Sequence, residues 1–131
     1  MYGFNIKLKI PFETVAYKVE EALGKHGFGI LTDIDIKAAL KDNLHIELRP
    51  YRILVVCNPP LAYRAIQEEP DIGLLLPCNV VVREESDSTI TVSFMDTEAV
   101  LQLVDNPKVH MLAKEVKKLL RAVSQSLTSS S

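Results

Sequence analysis

The hydrophobic period of the chain changes abruptly at Pro11. Before it, Tyr2, Phe4, Ile6, Leu8 and Ile10 alternate with Gly3, Asn5, Lys7 and Lys9. A period of two predicts a strand with one face on a core and one facing water. After it, Phe12, Val15, Ala16, Val19, Ala22 and Leu23 recur at three and four, the stripe of an amphipathic helix. Proline sits at the switch because it has no N–H for a strand ladder and its fixed φ suits a helix start. Glu13 in the first turn and Lys25-His26 in the last complement the helix dipole, and Gly27 can close the helix in the left-handed conformation. A strand feeding straight into such a helix points to a layered fold, in which the two bury their apolar sides together.

The rest of the chain repeats this grammar. Residues 28–36 read as a second strand, packed against the first helix because only Gly27 separates the two. Ile36 to Leu44 reads as a short helix. Arg49 to Cys57 is a third strand, and its unbroken run Ile53-Leu-Val-Val predicts a central strand covered, at least in part, on both faces. Asn58-Pro-Pro caps a helix from Leu61 to about Glu69, which Pro70 ends; Ile72 to Leu76 is a short buried segment. Cys78 to Glu84 and Thr89 to Met95 are strands joined by the polar Glu85-Ser-Asp-Ser, the length of a hairpin loop. Asp96 caps a short helix. Asp105-Asn-Pro opens the last one, with Val109, Leu112, Ala113, Val116, Leu119, Leu120, Val123 and Leu127 on one stripe. Its Lys114, Lys117, Lys118 and Arg121 read as a solvated face. The order predicts an α+β domain: a two-layer antiparallel sheet with helices packed on one face.

Length and charge narrow the function classes. The 131 residues suit a single domain, taken as 1–127 with a disordered tail at 128–131. A net charge of −2 and an aromatic share of 6% speak against nucleic acid as a partner. No apolar run reaches the roughly 18–20 residues needed to cross a bilayer, so no membrane partner is expected. Two cysteines and the lack of a leader point to a reducing, cytoplasmic setting.

Both cysteines lie in paired blocks, Cys57-Asn58 and, twenty-one positions on, Cys78-Asn79. If the third and fourth strands pair antiparallel, the end of one meets the start of the other and the thiols become neighbours. The candidate site is therefore Cys57, Asn58, Arg64, Cys78 and Asn79. Three roles compete for the cysteines: small buried apolar groups, reactive thiols, or a metal pair. Two thiolates are too few for a closed zinc site, and His26, His45 and His110 are scattered, so no metal and no cofactor is assigned. Asn58 reads as a helix cap and Asn79 as a turn residue; alternatively their amides floor a pocket. Arg49, Tyr51, Arg52 and Arg64 form a cationic group, either a rim paired with Glu68, Glu69 or Asp71, or, with the helix N-terminus after Asn58, a seat for a small anionic ligand. Asp33 and Asp35 share one strand face and read as solvated.

Three ordered blocks carry a resemblance: Gly27-Phe-Gly-Ile-Leu-Thr-Asp-Ile-Asp, Cys57-Asn-Pro-Pro-Leu-Ala-Tyr-Arg-Ala, and Gly73-Leu-Leu-Leu-Pro-Cys-Asn-Val-Val-Val. Together they resemble the family called domain of unknown function 302 over essentially residues 1–125. The resemblance implies a β-α-β(4)-α core similar to the TATA-binding-protein-like fold, and a homodimer; it implies no activity, and fold analogy does not carry DNA binding with it. Pairing through a fifth strand at the sheet edge, where Thr91 and Ser93 give no charged protection, would serve such a dimer. The expected function is a dimeric ligand-binding or interaction module with its site near the two cysteines. The alternative is a thiol-dependent redox or metal-binding protein using Cys57 and Cys78.

Overall fold

The structure is a computed structural model and describes residues 1–129. Strand β1 (Gly3–Leu8) leads into helix α1 (Phe12–Lys25), then β2 (Gly29–Asp35), α2 (Ile36–Leu44), β3 (Tyr51–Cys57) and α3 (Pro59–Glu68). A 3-10 turn (Pro70–Leu74), β4 (Cys78–Glu84), β5 (Ile90–Met95), α4 (Thr97–Leu101) and α5 (Pro107–Ser129) complete it. The five strands form one antiparallel sheet in the order β1-β5-β4-β3-β2. Helices pack on one side of it, the expected α+β two-layer arrangement. The last helix runs through Ser129; the remainder of the expected tail, 130–131, lies outside the described residues.

Alternation decides which strand residues meet the helices. Leu54 and Val56 of β3, Val80 and Val82 of β4, and Ile90, Val92 and Phe94 of β5 are buried under Val15, Val19 and Leu23 of α1 and Leu120, Val123 and Leu127 of α5. The ends of α1 follow from local chemistry. Pro11 precedes it, and Gly27 leaves it at φ +85°, a conformation that L side chains rarely adopt. A second cluster adjoins the first. Leu61 and Ala65 of α3, Ile72 of the 3-10 turn, Leu101 of α4, and Val109, Leu112 and Ala113 at the start of α5 meet there.

Three expectations change. The central strand is β4, not β3; β3 lies second from the edge, and its outward-facing Ile53 and Val55 are half-buried, the partial cover expected of them. Strand β5 is internal, between β1 and β4, so the edge-pairing argument does not apply to it; the edges are β1 and β2. Strand β2 is exposed along its whole length, and the packing expected of it against α1 is supplied by Phe28 just before it.

The acidic strand face is not simply solvated either. Arg52 of β3 reaches Asp33 of β2 with both Nε, at 3.0 Å, and Nη2, and it also approaches Glu20 at 3.4 Å and Glu13 at 3.7 Å on α1. Asp35 caps α2 by accepting from the Ala38 amide at 2.9 Å. Arg52 thus ties the edge strand to α1, with its side chain 19% exposed. Replacing it with methionine keeps the stem and strands three carboxylates, and should cost about 1–2 kcal/mol in urea unfolding. Lysine, which has charge but no fork, should recover part of that. Equal stability of Arg52→Met and the parent would show that the cluster contributes nothing.

The cationic face of α5 is also partly engaged. Lys117 pairs with Asp96 at 3.1 Å and Glu98 at 3.5 Å, which ties α5 to α4. The Arg121 guanidinium lies 3.9 Å from the centre of the Phe4 ring.

Candidate functional site

The cysteines sit where two strand ends meet α3. Strand β3 pairs antiparallel with β4 in a register that sets Cys78 opposite Val56, while Cys57 pairs with Gly29 of β2. The thiols are therefore near neighbours offset by one residue, at the last position of β3 and the first of β4. Both are free. Cys78 is buried on the helix side and Cys57 is half-buried. Burial pushes the Cys78 thiol up to about 12, with a smaller contribution from the nearby Cys57. Cys78 is thus a protonated, apolar-seated thiol at neutral pH, a poor nucleophile and a poor metal ligand. Among the described residues no group of three or more His, Cys, Asp or Glu is placed to hold a metal ion.

Beside the thiols the second cluster leaves a cavity of about 300 Å³. Its floor is Val56, Cys57 and Cys78 at the strand ends. One wall is α3 with Leu61 and Ala65, and the other is α4 and the first turns of α5 with Leu101, Leu112 and Ala113. Ile72 and Leu76 close one end. No residue on this lining carries a charge. Its polar side chains are few. Thr97, fully buried, donates its hydroxyl to the Ala113 carbonyl at 2.6 Å. Asn58 accepts from the Leu61 amide at 3.3 Å through Oδ1. The Asn58 Nδ2 lies over Gly27, 3.1 Å from where a side chain there would begin, so both the turn and the cap depend on that glycine.

Three of the five expected site residues, Cys57, Asn58 and Cys78, lie on the cavity lining. Arg64 does not. It points away from the inward stripe of α3, pairs with Glu115 of α5 at 3.6 Å, and borders a separate depression with Glu68 and Lys108. Asn79 is exposed on the sheet side opposite Cys78. The ion partners expected for the cationic group are replaced as well: Arg64 takes Glu115 and Arg52 takes Asp33, Glu20 and Glu13.

The helix N-terminus also lacks the donors that an anion needs. Pro59 and Pro60 have no N–H, the Leu61 amide goes to Asn58 Oδ1, and the Ala62 amide goes to the Asn58 carbonyl at 2.9 Å. The proline pair that starts the helix thus removes the amides that would have held a carboxylate or phosphate.

The walls of the cavity are less legible in the sequence than its floor. Leu31 lines the cavity because β2 and β3 slip register between Ile30 and Thr32, which makes Leu31 the extra residue of a bulge. Nothing local to Leu31 announces this. The contribution of α5 had a signal. At about 1.5 Å per residue, its 23 residues span roughly 34 Å. Five strands spaced about 4.8 Å apart are much narrower, so one end of the helix must project past the sheet and find another cover.

Comparison with known proteins agrees with this architecture. No curated protein matches the chain. The crystal structure of an uncharacterized conserved DUF302 protein from Bacillus stearothermophilus is similar, with a TM-score of 0.88 and 25% identity over 95% of this chain and 97% of that one. The model of the family described as domain of unknown function DUF302 matches residues 4–127, the whole of both hydrophobic clusters and every strand but for Gly3 at the start of β1. With the family model spanning the sheet, the cavity and all but the last two residues of α5, the chain belongs to the DUF302 family.

Proposed function

We propose that this chain is a ligand-binding module whose ligand occupies the cavity beside Cys57 and Cys78. The observation that carries the reading is the cavity itself. A volume of about 300 Å³ bounded by Leu61, Ala65, Ile72, Leu101 and Leu112 interrupts a cluster whose residues are otherwise closely packed. Protein interiors tolerate few voids larger than a water molecule, whereas small-molecule sites begin at about this size and have mostly apolar walls. The thiol-dependent alternative rests on Cys57, since burial keeps Cys78 protonated. Self-association is part of the proposal; the exposed edge strand β2, with Ile30 and Ile34 open to solvent, favours it. A reducing cytoplasm suits two unpaired thiols.

The test is binding of N-phenyl-1-naphthylamine, an uncharged dye that brightens in apolar surroundings. The parent protein should bind it with a saturable signal. Ala65→Phe, which places a ring in the cavity from α3, should weaken binding at least tenfold while the chain still unfolds cooperatively. Unchanged binding in that folded variant would place the dye elsewhere and sink the proposal.

A further inference from the structure

We infer that the ligand of this cavity is uncharged: a mostly apolar small molecule whose polar part is no more than a hydroxyl or carbonyl. The inference rests on the cavity reading above and concerns what the cavity selects. Four features exclude a charged head from its interior. The lining has neither a carboxylate nor a cation. The α3 N-terminus, the natural seat for an anion, is closed by Pro59, Pro60 and the two amides that Asn58 takes up. The Arg64 guanidinium faces Glu115 instead. Thr97 has spent its proton on the Ala113 carbonyl, so towards a ligand it only accepts. A carboxylate brought inside would lose its hydration and find at most one amide, and an ammonium would find no counter-charge; either is costly.

The groups that remain suit a neutral ligand. Among the described residues, Asn58 and Thr97 are the only amide and hydroxyl side chains on the lining, and the Asn58 Nδ2 lies over Gly27. A single hydroxyl or carbonyl loses little hydration on entering such a lining, whereas an ion loses far more. The apolar remainder meets Leu61, Ile72, Leu101 and Leu112.

The mouth carries the same preference. Leu31 on the β2 bulge is 62% exposed and Ile66 on α3 is 53% exposed, and both line the cavity. These are apolar side chains held at the surface on the rim of an apolar cavity, with no cation among the lining residues to retain an anionic head in the entrance. The bulge explains why a strand exposed along its whole length contributes to the lining, since the extra residue is re-aimed out of the ladder.

The experiment displaces N-phenyl-1-naphthylamine from the full chain with three eight-carbon compounds at pH 7.4: 1-octanol, octanoate and octylammonium. Octanol should displace at a concentration at least tenfold below either ion, a difference of about 1.4 kcal/mol. Leu31→Lys, a change at an exposed position that leaves the core intact, should narrow the gap between octanoate and octanol severalfold by placing a cation at the mouth. Octanoate or octylammonium matching octanol on the parent would overturn the inference while leaving the cavity reading intact. Dye bound by the parent and by Ala65→Phe alike would instead overturn the cavity reading, and the inference with it. No effect of Leu31→Lys on any of the three would overturn the assignment of the mouth.

Discussion

Replacing Phe94 by alanine is expected to remove about 3–5 kcal/mol of folding stability. Phe94 is 1% exposed and stands on the helix side of β5, between Phe4 of β1 and Val80 of β4 in register. Its ring stacks on Phe4 with centroids 5.3 Å apart and planes 15° from parallel. Phe4 is held by the Arg121 guanidinium as well, so the ring pair and the cation act together. The hole left by alanine cannot easily close. The strands on both sides are fixed by their ladders, and Gly3 already lets β1 approach so near that a side chain there would lie 2.9 Å from the Phe94 carbonyl oxygen. For a domain whose total stability is of the order of 5–15 kcal/mol, the loss is a large share. Urea unfolding should show a lower midpoint with an unchanged slope. A loss under about 1 kcal/mol would mean that the site collapses around alanine and that the pair is not a keystone of the sheet.

The burial of Phe94 is legible in the sequence alone, and the reason is general to the sheet. Ile90, Val92 and Phe94 alternate with Thr91 and Ser93, and alternation survives whatever the topology. Helix starts are legible for similar reasons. Asn58, Asp96 and Asn106 accept from Leu61, Ala99 and Lys108 respectively, contacts within three residues that local sequence dictates. Local pattern does not supply strand order. The run Ile53 to Val56 looks central, yet β3 is second from the edge, because a half-buried outer face tolerates Ile and Val as readily as a covered one.

The site divides along the same line. Cys57, Asn58 and Cys78 come together because the ends of β3 and β4 must meet if the strands pair antiparallel. The two residues that fall away, Arg64 and Asn79, have suitable chemistry but the wrong periodicity. Asn79 follows Cys78 on a strand, and so belongs to the other face. Arg64 precedes Ala65 on a helix whose inward residues are Leu61 and Ala65, one turn apart, and so belongs to the flank. Both exclusions are available from the sequence. The contributions of Thr97, Leu101 and Leu112 are not. They depend on how far α5 projects beyond the sheet and on α4 folding back against it, and these are tertiary facts.

Cys78 should make the chain lose stability in alkali by up to about 4 kcal/mol. Its thiol is raised from an ordinary 9.0 to about 12, first by burial and then by Cys57. Below pH 9 both the folded and the unfolded chain hold this proton, so the thiol makes no difference to stability. Above pH 9 the unfolded chain releases the proton while the folded chain keeps it, so unfolding becomes easier with each step in pH. The slope is about 1.4 kcal/mol per pH unit and levels off as the folded thiol itself ionises near pH 12. At pH 10 the deficit should be roughly 1.4 kcal/mol. Lys117, raised by its hydrogen bond to Asp96 despite some desolvation, has the same sign: its contribution is present below 10.5 and is lost as pH rises through its folded value. The whole chain therefore weakens in alkali for two reasons, and the variant must separate them. Cys78→Val keeps an apolar group of similar size opposite Val56 and has no proton to lose. Parent and variant should agree at pH 8 to within the cost of the exchange, then diverge by roughly 1.4 kcal/mol at pH 10, the parent being the weaker. A constant difference from pH 8 to pH 10 would show that Cys78 ionises in the folded chain as readily as in the unfolded one. That would make Cys78 an ordinary thiol and remove the burial argument against the thiol-dependent reading.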